Sequence, residues 1–336
     1  VARVLIRQLE YLVALSRERH FARAAAACSV TQPALSAGIR KLEDELRVPI
    51  VRRGNRFQGF TPEGERVLRW AHRAVAACDA LMSDARSARE GLTGMLRVGM
   101  VPTAVDPVGY LCAQMQRHHP RVRLRVRECA PAEVQRGLAG GEFDVGVTYL
   151  DTTRSPHEGR VCPLYHERYV VLAQADGCFA GRLHVDWEEL DQVPLCVPAH
   201  PAPERGVLEE TARGVGARLD VRAEVGSVPG MLAYLRHAPG AAIVAASWLE
   251  VLSLPDDVVP VPLREPDTVS HVGVVAAPRG PVPDVAEEFL TCARRMTAGA
   301  AVPAPRPGTE PGGPVGDPAP GTGVWPPRQG WTAGNP

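Results

Sequence analysis

The 336-residue chain has no long apolar run, no closely spaced cysteine pair and only one lysine, Lys41. No stretch in Val1 to Arg7 is long enough for a secretory leader, and no window approaches the length of a membrane span. A soluble, cytoplasmic protein is therefore expected. Eight cysteines stand at positions 28, 78, 112, 129, 162, 178, 196 and 292, and none forms a CxxC metal or redox motif with another. They read as reduced, mostly buried thiols. Two distant thiols that met in the fold would make an oxidant sensor, and that stands as the alternative. His118 and His119 are adjacent, so on a helix their side chains point apart and do not share a metal. No G-x-G-x-x-G follows a strand-like run, which leaves a dinucleotide site without support. Nucleophile–base clusters and paired carboxylates are missing too. Neither catalysis nor a metal or cofactor is expected.

Formal net charge is +0, so the whole molecule is no general binder of polyanions. The first sixty residues differ, with eleven Lys+Arg against five Asp+Glu. A basic head on a neutral chain suits local phosphate binding. Apolar spacing predicts a first helix over about Ile6 to Arg17, burying Leu9, Leu12, Val13 and Ser16 with Ile6 and Tyr11 nearby. A second begins near His20 and buries Phe21, Ala24, Ala25 and Cys28. Ser29 and Val30 turn the chain, Thr31 caps a third helix, and Pro33 sits where a missing N–H costs nothing. Leu35, Ile39, Leu42 and Leu46 form its inward row. Thr31, Gln32, Pro33, Ser36 and Arg40 remain for a DNA groove, and Arg23 joins them. Gln32 can pair with adenine through two hydrogen bonds, while Arg40 can reach phosphate or guanine. Residues 52 to 60 read as a hairpin wing with Gly54 and Asn55 at its tip, where Arg53 and Arg56 would hold the DNA backbone.

Thr61-Pro62-Glu63 repeats the cap, proline and acid signature of a helix start, and the helix runs to about Arg89. Val67, Ala71, Ala74, Cys78, Leu81, Ala85 and Ala88 fall at alternating four- and three-residue spacing, widened by Leu68, Val75 and Met82. That heptad stripe predicts a homodimer.

Phe21 to Ala25 (F-x-x-A-A), Thr31 to Ser36 (T-Q-P-A-L-S), Ile39 to Glu43 (I-x-x-L-E) and Thr61 to Gly64 (T-P-E-G) together resemble a LysR-type transcriptional regulator. The resemblance covers roughly residues 6 to 297. It implies a winged helix-turn-helix head (1–60), a linker and dimerisation helix (61–91), and a two-lobed α/β effector domain (95–298) similar to type 2 periplasmic solute-binding proteins. It implies double-stranded DNA as partner, dimers of dimers that bend it, and RNA polymerase as a further candidate partner. Two departures stand out: Arg47 replaces the usual glycine after the third helix, and Val51 replaces the usual phenylalanine before the wing.

From residue 95 strand-like runs alternate with helices, which predicts a mainly parallel sheet. Strands are expected near 95–101, 121–127, 144–148, 169–173, 195–197, 221–225, 241–245, 258–263 and 270–276. A final amphipathic helix is expected over 284–296. The resemblance implies that the last strand and helix return to the first lobe. Ligands of such sheets bind beyond strand carboxyl ends, near helix N-termini. This selects Pro102, Thr103 and Ala104, then Thr148, Pro198, His200 and Ser227-Val228. The resemblance places effector contacts at Thr103, Thr148 and Ser227. Hydroxyls beside converging N–H groups suit a carboxylate, so the expected effector is a small anion. Residues 302–336, with eighteen Pro or Gly among thirty-five, read as disordered. An enzyme or a secreted solute receptor built on the same lobes would lack any use for the basic head.

Overall fold

In a computed structural model of the chain, residues 4–52, 57–150, 160–200, 202–264, 270–276 and 282–298 are described, apart from the side chains of Ala88, Glu90 and Pro203. Arg53 and Arg56, and the 302–336 segment expected to be disordered, lie outside these residues.

Three short helices open the chain: α1 (Ile6–Glu18), α2 (Phe21–Ala27) and α3 (Gln32–Leu46). Leu15, Ala24, Ala25, Leu35 and Ile39 close one core between them. Leu12, Val13, Leu42 and Ile50 form another with Ala71 of the following helix. Each fully buried leucine here contributes about 1.5–3 kcal/mol over an exposed one. Thr31 caps α3 by accepting from the Ala34 N–H at 3.4 Å. The helix stops at Arg47, which adopts a left-handed conformation at φ 55°. A glycine would take that conformation without a Cβ clash.

Glu43 explains why the I-x-x-L-E motif ends in an acid. Its Oε1 accepts from the backbone N–H of Ile50 at 2.7 Å and of Val51 at 2.9 Å, which fixes the chain entering the wing. Val51 then bridges antiparallel to Phe60, and Phe57 stands edge-on to Phe60 with ring centroids 5.1 Å apart. These contacts form the base of the expected hairpin. The smaller Val51 is accommodated because Phe57 and Phe60 pack beside it.

Helix α4 (Pro62–Glu90) follows, capped by the Thr61 hydroxyl on the Gly64 N–H at 2.9 Å. A Cβ on Gly64 would run into the Ile50 carbonyl, so the helix needs glycine there to lie close to the wing. The α4 stripe does not stay on one surface. Ala71 is 1% exposed inside the head's own core, with Val67, Leu68 and Val75 packed around it. This corrects the assignment of Ala71 to a dimer face, because α4 begins as the fourth helix of the head. Farther along, Leu81 is 68% exposed and Met82 52% exposed.

The first lobe carries β1 (Gly94–Met100), β2 (Val122–Glu128), β3 (Val145–Tyr149), β4 (Val161–Glu167) and, from the end of the chain, β11 (Ser270–Ala276), in the order β2-β1-β3-β11-β4. Helices α5 (Val105–His118), α6 (Pro131–Gly140) and α9 (Asp284–Ala298) cover it. The second lobe orders β5 (Tyr169–Gln174), β6 (Val185–Asp186), β7 (Leu195–Pro198), β8 (Val221–Val225), β9 (Ala241–Ala245) and β10 (Val258–Arg264) as β6-β10-β5-β9-β7-β8, with α7 (Pro203–Gly214) and α8 (Val228–Leu235). Both sheets are mixed rather than mainly parallel, since β11 runs antiparallel to β3 and β4, and β5 antiparallel to β9 and β10. The expected return of the last strand and helix to the first lobe is observed. The sequence reading missed β4. As an edge strand it tolerates Pro163 and carries polar His166 and Glu167, so it lacks an apolar strand signature. No helix among the described residues is long and apolar enough to cross a membrane.

Candidate functional site

On α3 Leu35, Ile39 and Leu42 are buried and Leu46 is half-buried, whereas Thr31, Gln32, Pro33 and Arg40 are exposed and Ser36 is half-buried. Thr31 caps α3, Gln32, Pro33 and Ser36 lie in its first turns, and Arg40 lies farther along the helix. Arg23 is exposed but engaged, its guanidinium bonded to the Glu18 carbonyl at 2.6 Å and near the Glu18 carboxylate at 3.4 Å. Arg52, at the wing base, donates to the Phe60 carbonyl at 3.0 Å.

The outer face of α4 carries Trp70, Ala77, Leu81, Met82 and Ala85, all exposed. Ala74 and Cys78 are half-buried between this face and the head. Trp70, overlooked in the heptad reading, is 67% exposed with the Arg73 guanidinium 4.7 Å from its ring.

The first lobe is fastened to α4. Arg97 on β1 pairs with Asp79 of α4 at 2.5 Å and with the buried Asp144 at 3.6 Å. The Arg97 N–H also donates to Asp144 at 2.8 Å, and Ser83 donates to the Thr93 carbonyl at 2.6 Å. Burial pushes the Asp144 carboxyl up while Arg97 pulls it back. A cavity of 610 Å³ opens at this joint, lined by Arg86, Arg121, Arg123, Met82 and Val285 among others.

Between the lobes lies a buried polar cluster. The Thr103 and Tyr149 hydroxyls are 3.0 Å apart, and Tyr149 donates to Glu204 Oε1 at 3.1 Å. Tyr165 donates to the Thr103 carbonyl at 3.0 Å. Thr103 and Tyr149 belong to the first lobe and Glu204 to the second, so this chain of contacts spans the cleft. Glu167 ends β4 where the chain crosses to β5. It is 1% exposed, and its Oε1 accepts from the Ser247 N–H of the second lobe at 3.2 Å. Burial pushes its carboxyl up to about 7, while the Ser247 N–H and the neighbouring Ser247 and Tyr165 hydroxyls pull it down. Glu204 is raised by burial as well.

Of the expected effector residues, Thr103 is in this cluster. Thr148 is not brought to it. Side chains alternate along a strand, and Tyr149 leaves β3 on the Thr103 side. Thr148 therefore shares the opposite face with Gly146, which α6 covers through Val134 and Leu138. Ser227 is exposed and occupied, its hydroxyl accepting from the Gly230 N–H at 3.3 Å to cap α8. Pro102 and Pro198 are half-buried at their strand ends, and His200 is exposed, 3.7 Å from Glu209. The Thr103 hydroxyl lies against that of Tyr149, and the carboxyls of Glu204 and Glu167 stand in the same cluster. Sequence reasoning missed Glu204, Glu167, Tyr149 and Tyr165; an acid in the first turn of α7 was the one visible signal.

All eight cysteines are free. Burial raises the thiols of Cys28, Cys129, Cys162 and Cys292, and those of Cys112 and Cys196 to about 11. No group of metal-ligating side chains occurs among the described residues.

Two family models match the chain, one for a bacterial regulatory helix-turn-helix protein of the lysR family over residues 6–65 and one for a LysR substrate binding domain over residues 89–298. Among curated relatives, the DNA-binding transcriptional dual regulator OxyR of Escherichia coli is 27% identical over 300 residues, covering 88% of this chain and 96% of its own. A hydrogen peroxide-inducible genes activator of Pectobacterium carotovorum is 34% identical over 189 residues, 55% of this chain and 61% of its own. Among solved structures, a full-length OxyR variant from Pseudomonas aeruginosa matches with a TM-score of 0.69 at 25% identity, covering 87% of this chain and 98% of that one. CbnR in complex with its target DNA matches with a TM-score of 0.63 at 20% identity, covering 87% and 99%.

Proposed function

The chain belongs to the LysR family of bacterial helix-turn-helix regulators, and we propose that a small molecule held between its lobes changes how a pair of copies grips double-stranded DNA in the cytoplasm. Gln32, Ser36 and Arg40 read base edges and phosphate from α3. Trp70, Leu81 and Ala85 of α4 meet the same residues of a second copy, and RNA polymerase is the candidate onward partner. The observation that carries this reading is the pair of links running from cleft to head: Tyr149–Glu204 across the lobes, then Arg97–Asp79 from the first lobe to α4. A ligand that reorders the first link shifts β3 and β1, and the second passes the shift to the helix that sets half-site spacing. The coupling needed is about 1–3 kcal/mol.

Footprinting of the purified chain on the DNA upstream of its neighbouring gene, with and without candidate small molecules, tests the reading. Protection of two half-sites that changes with a ligand is the expected result. A monomer that prefers its own promoter no more than random duplex would falsify it.

Thiol-based sensing is favoured by the relatives named as peroxide-inducible activators. Against it stand the six thiols raised by burial, since the thiolate is the form that attacks peroxide. A reversible disulfide found by mass spectrometry after mild peroxide would restore it.

A further inference from the structure

We propose that the cleft is built to take a small organic cation, one bearing an ammonium group, and not an anion. This rests on the reading of the lobes as an effector domain. Three of the chain's six tyrosines, Tyr149, Tyr165 and Tyr169, gather with Glu167 and Glu204 between the lobes. Both glutamates are more than nine-tenths buried. Neither has an ion-pair partner among the described residues, where their neighbours are hydroxyls and backbone amides.

Three polar atoms in this cluster are left over, Ser247 Oγ among them. Glu167 Oε2 lies beside Tyr165 and Ser247 yet makes no hydrogen bond among the described residues. The Tyr169 hydroxyl, beside Ser270 and within the field of both glutamates, is also buried without a bond. Each such atom is costly to bury; the ionised Glu167 Oε2 asks for a donor, while a hydroxyl can donate or accept. An ammonium supplies three N–H donors and a positive charge, and tyrosine rings attract cations at their faces. An anion would meet two carboxyls instead. The Arg205 guanidinium on α7 already faces Glu209 at 2.7 Å and Glu224 at 3.4 Å, although its Nη1 is buried without a partner among the described residues. The α7 N-terminus is no anion site either, because the Glu204 carboxylate accepts from its own backbone N–H there.

The test is calorimetry on the full chain with ethylamine, propylamine and putrescine against acetate, succinate and benzoate. An amine should bind and the carboxylates should not. Glu167→Gln and Glu204→Gln should each weaken that amine at least tenfold. Should either variant fail to fold, the wild type titrated in two buffers of different ionisation heat gives a second readout. Amine binding near neutral pH ionises the Glu167 carboxyl, which burial raises to about 7, and so releases protons; uptake of protons or no exchange counts against the proposal. Carboxylate binding that Arg205→Gln abolishes overturns it, as does the absence of binding by all three amines. Promoter binding by the same preparation keeps the two readings apart. Retained operator preference without amine binding sinks only the ligand assignment, while loss of operator preference sinks the regulator reading.

Discussion

The Tyr149 hydroxyl of the first lobe donates to Glu204 Oε1 of the second at 3.1 Å, and Tyr149 also touches Thr103 at the end of β1. One phenol thus joins both lobes and the strand that leads to the linker helix. Tyr149→Phe keeps the ring and removes the bond. The expected cost is about 1–3 kcal/mol, because the acceptor is a buried carboxyl. Hydrogen exchange should rise in Pro102–Ala104 and the first turn of α7, and unchanged exchange there would count against an interlobe link.

Glu167 gives a pH signature. It holds its proton to about 7 in the folded chain, against an ordinary value of 4.5. Its contribution is therefore fully present below 4.5 and is lost as pH rises to 7, on the order of 3 kcal/mol at ~1.4 kcal/mol per pH unit. Glu204, raised by burial, acts in the same direction. Denaturation at pH 5 and pH 8 should show the wild type weaker at pH 8, with a smaller difference in Glu167→Gln. The hinge also holds His166 and His271, edge-to-face with ring centroids 4.6 Å apart, so their single variants serve as controls.

Gln32→Ala should lower discrimination between operator and random DNA by about 1–3 kcal/mol and leave non-specific affinity nearly unchanged. Competition binding at fixed salt reads this directly. Unaltered operator preference would remove Gln32 from the reading set.

Arg47 spends its backbone in the left-handed region at φ 55°. Arg47→Gly should stabilise the head by roughly 1 kcal/mol, the steric cost that a Cβ carries there. A lower melting temperature would show that the arginine side chain offsets that cost.

Glu43→Ala leaves the Ile50 and Val51 N–H groups without their acceptor. The expected loss is about 2 kcal/mol, with the wing base loosening first. Thermal unfolding and the fluorescence of a probe at the wing distinguish this from a general loss of the head.

The head was readable because its signals are local. A threonine cap with a following proline, an inward leucine row and the T-P-E-G helix start are each written within a few residues, and helix chemistry acts at that range. The core strands were readable for a similar reason, since Val145–Tyr149 and Ala241–Ala245 are apolar throughout. The edge strand β4 carried no such pattern, and with it went Tyr165 and Glu167. The α4 stripe was visible, but its split between the head's core and an exposed face depends on where α1 lies. Glu204, Tyr149 and Glu167 are separated by tens of residues, and no spacing rule connects them. Sequence alone determined the family, the helices of the head and the apolar core strands, because short-range propensity and patterning decide these. Only tertiary structure decided the chemistry of the cleft, because burial and charge neighbourhood are set by chain crossings that bring distant residues within 3 Å or so of each other.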